Sequence, residues 1–168
     1  SETAKIKNLV DEKISKGQKI LGLSVGEPNF KTPENIVLAA KKAITNGFTK
    51  YTQTSGIPEL KNAIITKYVK EKNLYYGSDQ IIVSSGGKQV IFNALFATLN
   101  PNDEVIIPSP FWVSYPDIVS LCGGNPVIVK TKFSNSYKIT ASDLEAAITP
   151  KTKWLILNSP TNPTGAVY

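Results

Sequence analysis

Arginine, histidine and methionine are all missing from this 168-residue chain. Without His there is no Ser-His-Asp or Cys-His nucleophile system and no imidazole metal site. Without Arg there is no planar guanidinium fork for a carboxylate or phosphate. All 19 basic residues are therefore lysines, and the net charge is +6. They are scattered, with no run longer than Lys41-Lys42 and no basic aromatic stripe, so nucleic-acid binding is not expected. Cysteine is scarce as well. Cys122 stands alone in an apolar setting and has no internal disulfide partner, which fits a reducing, cytoplasmic compartment. No apolar run approaches ~18 residues, so no membrane span is expected. Ser1-Glu2-Thr3-Ala4-Lys5 lacks the apolar core of a signal peptide and an initiator Met, so a start further upstream is expected.

What is present centres on Ile81–Phe92. Ile81-Ile82-Val83 is a β-branched run that reads as a buried strand. Ser84-Ser85-Gly86-Gly87 is a small, permissive turn. From Lys88 the apolar positions Val90, Ile91, Ala94 and Leu95 take helical spacing. Strand, glycine turn and helix together point backbone N–H groups at an anion, with the helix dipole behind them. A phosphate cradle is one reading and an ordinary α/β connection is the other. A nucleotide-binding fingerprint is disfavoured, because the spaced glycines and an acidic residue after the next strand are both missing.

The remaining elements follow from spacing and punctuation. Ala4–Ser15 carries Ile6, Leu9, Val10 and Ile14 on one helical face and stops at Gly17. Lys19–Ser24 is strand-like, and Gly26-Glu27-Pro28-Asn29-Phe30 interrupts regular structure. Thr32 as cap and Pro33 at the first position open a helix that ends at Gly47. Gly56–Lys72 is a further amphipathic helix. Val105–Ile107, Pro126–Val129 and Trp154–Leu157 read as strands, with a short helix over Tyr115–Leu121. A capping-box pattern at Ser142-Asp143-Leu144-Glu145 opens another helix. Strands alternating with helices from Ile81 onward predict an α/β fold with a mostly parallel sheet and helices on both faces.

Ligand sites in open α/β sheets lie outside the carboxyl ends of the strands. Three such ends carry distinctive loops: the Gly-Gly turn, Ser109-Pro110-Phe111-Trp112, and Asn158-Ser159-Pro160-Thr161-Asn162-Pro163-Thr164-Gly165. Trp112 is placed either to stack a flat ring or to anchor the next helix. Convergence of the three loops on one edge is the site expected from the residues alone.

Gly26-Glu27-Pro28-Asn29-Phe30 with Thr32-Pro33, Lys50-Tyr51, Ser85-Gly86-Gly87-Lys88-Gln89, Ser109–Pro116 and Asn158–Gly165 occur in that order over nearly the whole chain. In this the chain resembles the N-terminal half of class I, fold-type I, pyridoxal 5'-phosphate (PLP) dependent aminotransferases of the bacterial aspartate aminotransferase kind. The resemblance implies roles. Gly86, Gly87 and Lys88 hold the PLP phosphate, Trp112 stacks on the pyridine ring, and Asn162 bonds its phenolic oxygen. Gly26, Trp112, Asn162 and Lys88 border the substrate, with Lys88 facing the distal carboxylate of a dicarboxylic amino acid. Tyr51 reaches the phosphate of a partner subunit's cofactor, which implies a homodimer. Cis bonds are implied before Pro110 and Pro163. The implied domains are 1–30, an N-terminal segment packing with a small domain, and 31–168, the first part of an incomplete PLP-binding large domain.

The resemblance also implies what this chain leaves to a longer one. The Schiff-base lysine, an aspartate for the pyridine nitrogen and an arginine for the α-carboxylate all follow the Asn-Pro-Thr-Gly motif in that family. No catalytic residue is therefore expected among these 168. The chain alone is expected to be inactive and, with open strand edges, prone to aggregate. The expected reaction of the whole enzyme is amino transfer between an amino acid, aspartate or another dicarboxylate, and a 2-oxo acid. A PLP lyase and an aromatic or prephenate aminotransferase of the same fold are the alternatives.

Overall fold

The computed structural model describes residues 2–23, 26 and 28–168. The chain divides into two compact units, Ser1–Tyr51 and Thr52–Tyr168. The first holds α1 (Glu2–Ser15) and α2 (Glu34–Thr45). Gly17 and Gly47 follow the two helices in the left-handed region, with φ of +80° and +76°, as the stop signals require. Pro33, not Thr32, caps α2, and no side chain bonds to the cap. The expected strand at Lys19–Ser24 does not form over residues 19–23, and Ser24 lies outside the described residues. Among the described residues no ladder partner reaches that stretch, and a short apolar run alone does not make a strand.

The second unit begins with α3 (Pro58–Lys72), two residues later than its glycine suggested. Pro58 takes the first position, where a missing N–H costs nothing. Asn73 ends α3 in the left-handed region with φ of 54°. Then come α4 (Gly87–Thr98), β1 (Glu104–Ser109), α5 (Ser114–Leu121), β2 (Asn125–Lys130), α6 (Ala141–Ala147) and β3 (Thr152–Leu155). The cap of α6 is Thr140, two residues before the expected Ser142. Thr140 accepts from the Asp143 N–H, and Asp143 in return accepts from the Thr140 N–H at 3.2 Å. Asp at the third helical position serves the box as well as Glu does, and this shifts the frame.

The three strands form one parallel sheet in the order β2-β1-β3. β3 starts and ends two residues earlier than the apolar run suggested, although Ile156 N–H still donates to Ile106 O at 3.0 Å. The expected strand at Ile81–Val83 is not part of the sheet. The described ladders run only between β1 and its neighbours β2 and β3, and residues 81–83 join neither outer edge. Among the described residues, Val83 N–H instead donates to the Ser55 carbonyl at 3.0 Å.

β1 is the centre of the core. Val105, Ile106 and Ile107 are fully buried. Alternation sends Val105 and Ile107 to one face and Ile106 to the other. On the first face they meet Leu95 of α4 and Tyr115, Ile118 and Val119 of α5. Each such aliphatic side chain contributes about 1.5–3 kcal/mol of burial energy. Trp154 Nε1 donates to Thr98 Oγ1 at 2.9 Å, joining β3 to the end of α4. This packing holds the carboxyl end of β1, the start of α4 and the start of α5 in fixed relation. Among the described residues no helix is long and apolar enough to cross a membrane, and no group of acidic, Cys or His residues could hold a metal.

Candidate active site

The turn before α4 is held from within. Gly86 N–H donates to Ser84 O at 2.8 Å, and Gln89 Oε1 accepts from Ser85 N–H at 2.6 Å. Gly86 has φ of 90° and ψ of 163°, backbone that only glycine adopts readily. The next two N–H groups, of Gly87 and Lys88, have no partner among the described residues. They open a twelve-residue helix, where unpaired donors and the macrodipole both favour an anion. A Cβ built on Gly86 or Gly87 meets no atom within 4 Å, so the space in front of the turn is open. A phosphate group fits this geometry and this charge.

Lys88 connects the turn to the next loop. Its ammonium lies over the Trp112 ring, 4.8 Å from the centroid, as a cation–π pair. The ammonium thus occupies the indole face on which a flat ring would stack. Tyr115 meets Trp112 edge to face at 5.4 Å, which sets the indole plane. Tyr115 itself is buried, and burial pushes its phenol above the usual value, so it stays neutral.

The loops after β1 and β3 share one pocket. Pro110, Phe111, Tyr115, Asn158, Thr161 and Asn162 line it. The peptide bonds before Pro110, Pro160 and Pro163 are cis, including the two expected from the resemblance. Asn158 Oδ1 accepts from Asn162 N–H at 2.9 Å, and Thr161 Oγ1 donates to Asn158 O at 2.6 Å. The exposed Asn162 amide is thus presented from a braced loop. Thr131 Oγ1 donates to Ser109 O and secures the carboxyl end of β1.

The structure therefore links these residues in sequence: Lys88, beside Gly86 and Gly87, meets Trp112, Trp112 meets Tyr115, and Tyr115 and Asn162 line one pocket. The other two expected site residues lie in the first unit. Gly26 is exposed, with no atom within 4 Å of a built Cβ, and Tyr51 is fully exposed. Sequence reasoning missed Gln89, Asn158 and Tyr115. Gln89 could have been found, since a Gln four residues after Ser85 can cap a turn's N–H. Asn158 could have been found as the Asx residue that starts a turn. Tyr115 looks like any other core aromatic in the sequence.

Known proteins are similar to this chain over its whole length. The profile of the family described as aminotransferase class I and II matches residues 18–168. The chain is 55% identical over 168 residues to an aspartate/prephenate aminotransferase of Cereibacter sphaeroides, covering 100% of this chain and 42% of that protein. It superposes on the crystal structure of the aspartate aminotransferase of Rhizobium meliloti with a TM-score of 0.94 and 49% identity, covering 100% of this chain and 42% of that one. With the Thermus thermophilus aspartate aminotransferase crystallised with maleate the TM-score is 0.96 at 43% identity, over 100% of this chain and 44% of that one. The chain thus spans about two-fifths of the length of these relatives. Its fold is that of the PLP fold-type I large domain, in part. On sequence and fold together, the chain belongs to the class I and II aminotransferase family.

Proposed function

We propose that this chain is the cofactor-cradling N-terminal part of a longer PLP-dependent aminotransferase. It would move an amino group between aspartate, or another dicarboxylic amino acid, and a 2-oxo acid. PLP is the cofactor that membership of the family implies. The observation that carries the reading is a run of contacts: a turn with two backbone N–H groups free among the described residues leads through Lys88 to the indole face of Trp112, and through Tyr115 to the pocket lined by the braced Asn loop. Chemically, this set suits a phosphate, a flat heteroaromatic ring and an anionic ring oxygen in turn.

When bound, PLP supplies an electron sink for the carbon that bears the amino group. The chain's own residues bind and orient. Gly87 and Lys88 N–H groups hold the phosphate dianion, and Gly86 provides the backbone shape that aims them. Trp112 fixes the ring plane by stacking. The Asn162 amide donates to the phenolic oxygen and favours its anionic form. Lys88, displaced from the indole, places its ammonium toward the distal carboxylate of the substrate. Gly26 leaves space beside the α-carboxylate, and Tyr51 reaches the phosphate in a partner subunit, so the working enzyme is a homodimer. Residues 1–30 pack with the small domain, and 31–168 begin the large one. The anchoring lysine and the carboxylate-binding arginine lie outside these residues, and the 168-residue chain alone is inactive. The enzyme works in the cytoplasm.

A second reading has specific support. The Cereibacter relative is named for prephenate as well as aspartate, so prephenate is a candidate oxo acid here. The test uses the full-length protein. PLP should generate a visible absorption band, and L-aspartate should bleach it in a single half-reaction. Prephenate should then restore the band. Absence of any visible band with PLP would sink the reading. In Asn162→Ala the band should persist with its pH midpoint displaced upward, because the donor to the phenolic oxygen is gone.

A further inference from the structure

Lys61 is the one buried charged residue among those described, with 8% of its surface exposed. Lysine is almost never this buried unless it is paired. Yet none of the described residues gives it a carboxylate. Its ammonium donates to Ser55 Oγ at 3.2 Å, and its own N–H bonds to Ile57 O at 3.1 Å. The side chain is enclosed and its part-buried ammonium has that one hydroxyl as its partner among the described residues, in a place where an apolar side chain would also fit.

The use of that arrangement lies one bond further on. The carbonyl of Ser55 is the acceptor for Val83 N–H at 3.0 Å. Residues 81–83 have no sheet partner among the described residues, so this bond stands where a ladder would be. The contact is close. A Cβ on Gly56, at φ of +105°, would come within 2.7 Å of Val83 Cγ2, so only glycine lets the two segments meet. Val83 leads directly into the turn whose Ser84 carbonyl accepts from Gly86 N–H. A continuous path therefore runs from the Lys61 ammonium through Ser55 and Val83 to the phosphate turn.

We propose that Lys61 is a positioning residue for the phosphate-binding turn, acting through Ser55 and Val83 on the placement of the Gly87 and Lys88 N–H groups. Lys61 touches neither cofactor nor substrate. It locks the Ser55 side chain, and the Ser55 backbone locks the lead-in to Gly86. The proposal rests on the cradle reading above.

The experiment compares PLP with pyridoxal, which has the same ring but no phosphate, as ligands of full-length apoprotein. Wild type should bind PLP far more tightly than pyridoxal. Lys61→Met should lower PLP affinity about tenfold while leaving pyridoxal affinity within about twofold. Lys61→Arg, which keeps the charge and the donor, should restore most of the preference. Equal losses for both ligands, or no loss for either, would overturn the proposal, the first by making Lys61 a mere packing residue. If Lys61→Met does not fold, Ser55→Ala removes only the hydroxyl partner, and its ratio of the two affinities is read the same way. A wild type that fails to prefer PLP refutes the cradle itself, and the proposal with it, and it does so without any variant.

Discussion

Gly86 offers the sharpest test of how the turn before α4 works. Its φ of 90° and ψ of 163° fall in a region that is essentially closed to residues with a Cβ. Holding Ala there costs on the order of 1–3 kcal/mol. No atom lies within 4 Å of a Cβ built at this position, so the cost is one of backbone conformation and not of collision. Gly87 is the internal control. It also has free space, but it is the first residue of α4, with backbone that Ala accepts. Gly87→Ala should gain about 0.4–1 kcal/mol by restricting the unfolded chain. Two neighbouring substitutions of the same kind should thus differ by about 1.4–4 kcal/mol. Urea unfolding of the full-length apoprotein measures this as a midpoint shift at constant slope. The turn can also escape the strain by relaxing, and then the Gly87 and Lys88 N–H groups lose their aim. In that case stability is spared, and PLP affinity falls about tenfold for each 1.4 kcal/mol lost from the phosphate contacts. The reasoning is refuted if Gly86→Ala matches Gly87→Ala in stability and wild type in PLP affinity.

Two further outcomes follow from the core and from α6. Leu95→Ala should destabilise by about 2–5 kcal/mol, because Leu95 is 2% exposed and packs in the cluster with Val105 and Val119. Leu121→Ala, at a site 74% exposed, should stay within about 0.5 kcal/mol, and chemical denaturation compares the two. The Thr140 hydroxyl and N–H, with help from Lys132, hold the Asp143 carboxyl below the usual range. Because the folded-state value is the lower one, the bond stabilises α6 above the ordinary carboxylate pKa of about 4 and is lost as pH falls through the depressed value. Amide protection over residues 141–147, with rates corrected for the intrinsic pH dependence of exchange, should therefore fall in that acid window, and Asp143→Asn should remove the pH step.

Some of this molecule can be read directly from its residues. Apolar spacing locates α1 to α5 to within a few residues, and the β-branched runs locate β1 and β2. The Gly-Gly turn, Trp112 and Asn162 can be identified as a group because each follows a strand-like run. What escapes is whatever depends on a distant partner. Ile81–Val83 has the composition of a strand, but a strand exists only when a neighbour supplies its ladder, and composition says nothing of that neighbour. The burial of Lys61 is hidden for the opposite reason, since the residue type points to solvent and the fold overrules it. The Thr140 cap is missed because two overlapping capping patterns compete at 140–145, and only the backbone decides between them. That Lys88 rests on Trp112 is invisible as well, since no spacing rule relates residues so far apart in different loops.

The order β2-β1-β3 also has a consequence for how the molecule assembles in time. The central strand is made first and must wait for both of its neighbours. β1 meets β2 across about 20 residues, Glu104 to Asn125, but meets β3 only across about 50, Glu104 to Thr152. Closing the longer loop costs roughly 0.7 kcal/mol more in chain entropy, and it cannot begin until α6 has been passed. The Asn158–Asn162 loop hangs from that last pairing, whereas the Gly86 turn and Trp112 are tied to elements already in place. The pocket is therefore completed by its latest arrival, and loosening β3 would open the pocket while the β1–β2 pair and its helices stay folded.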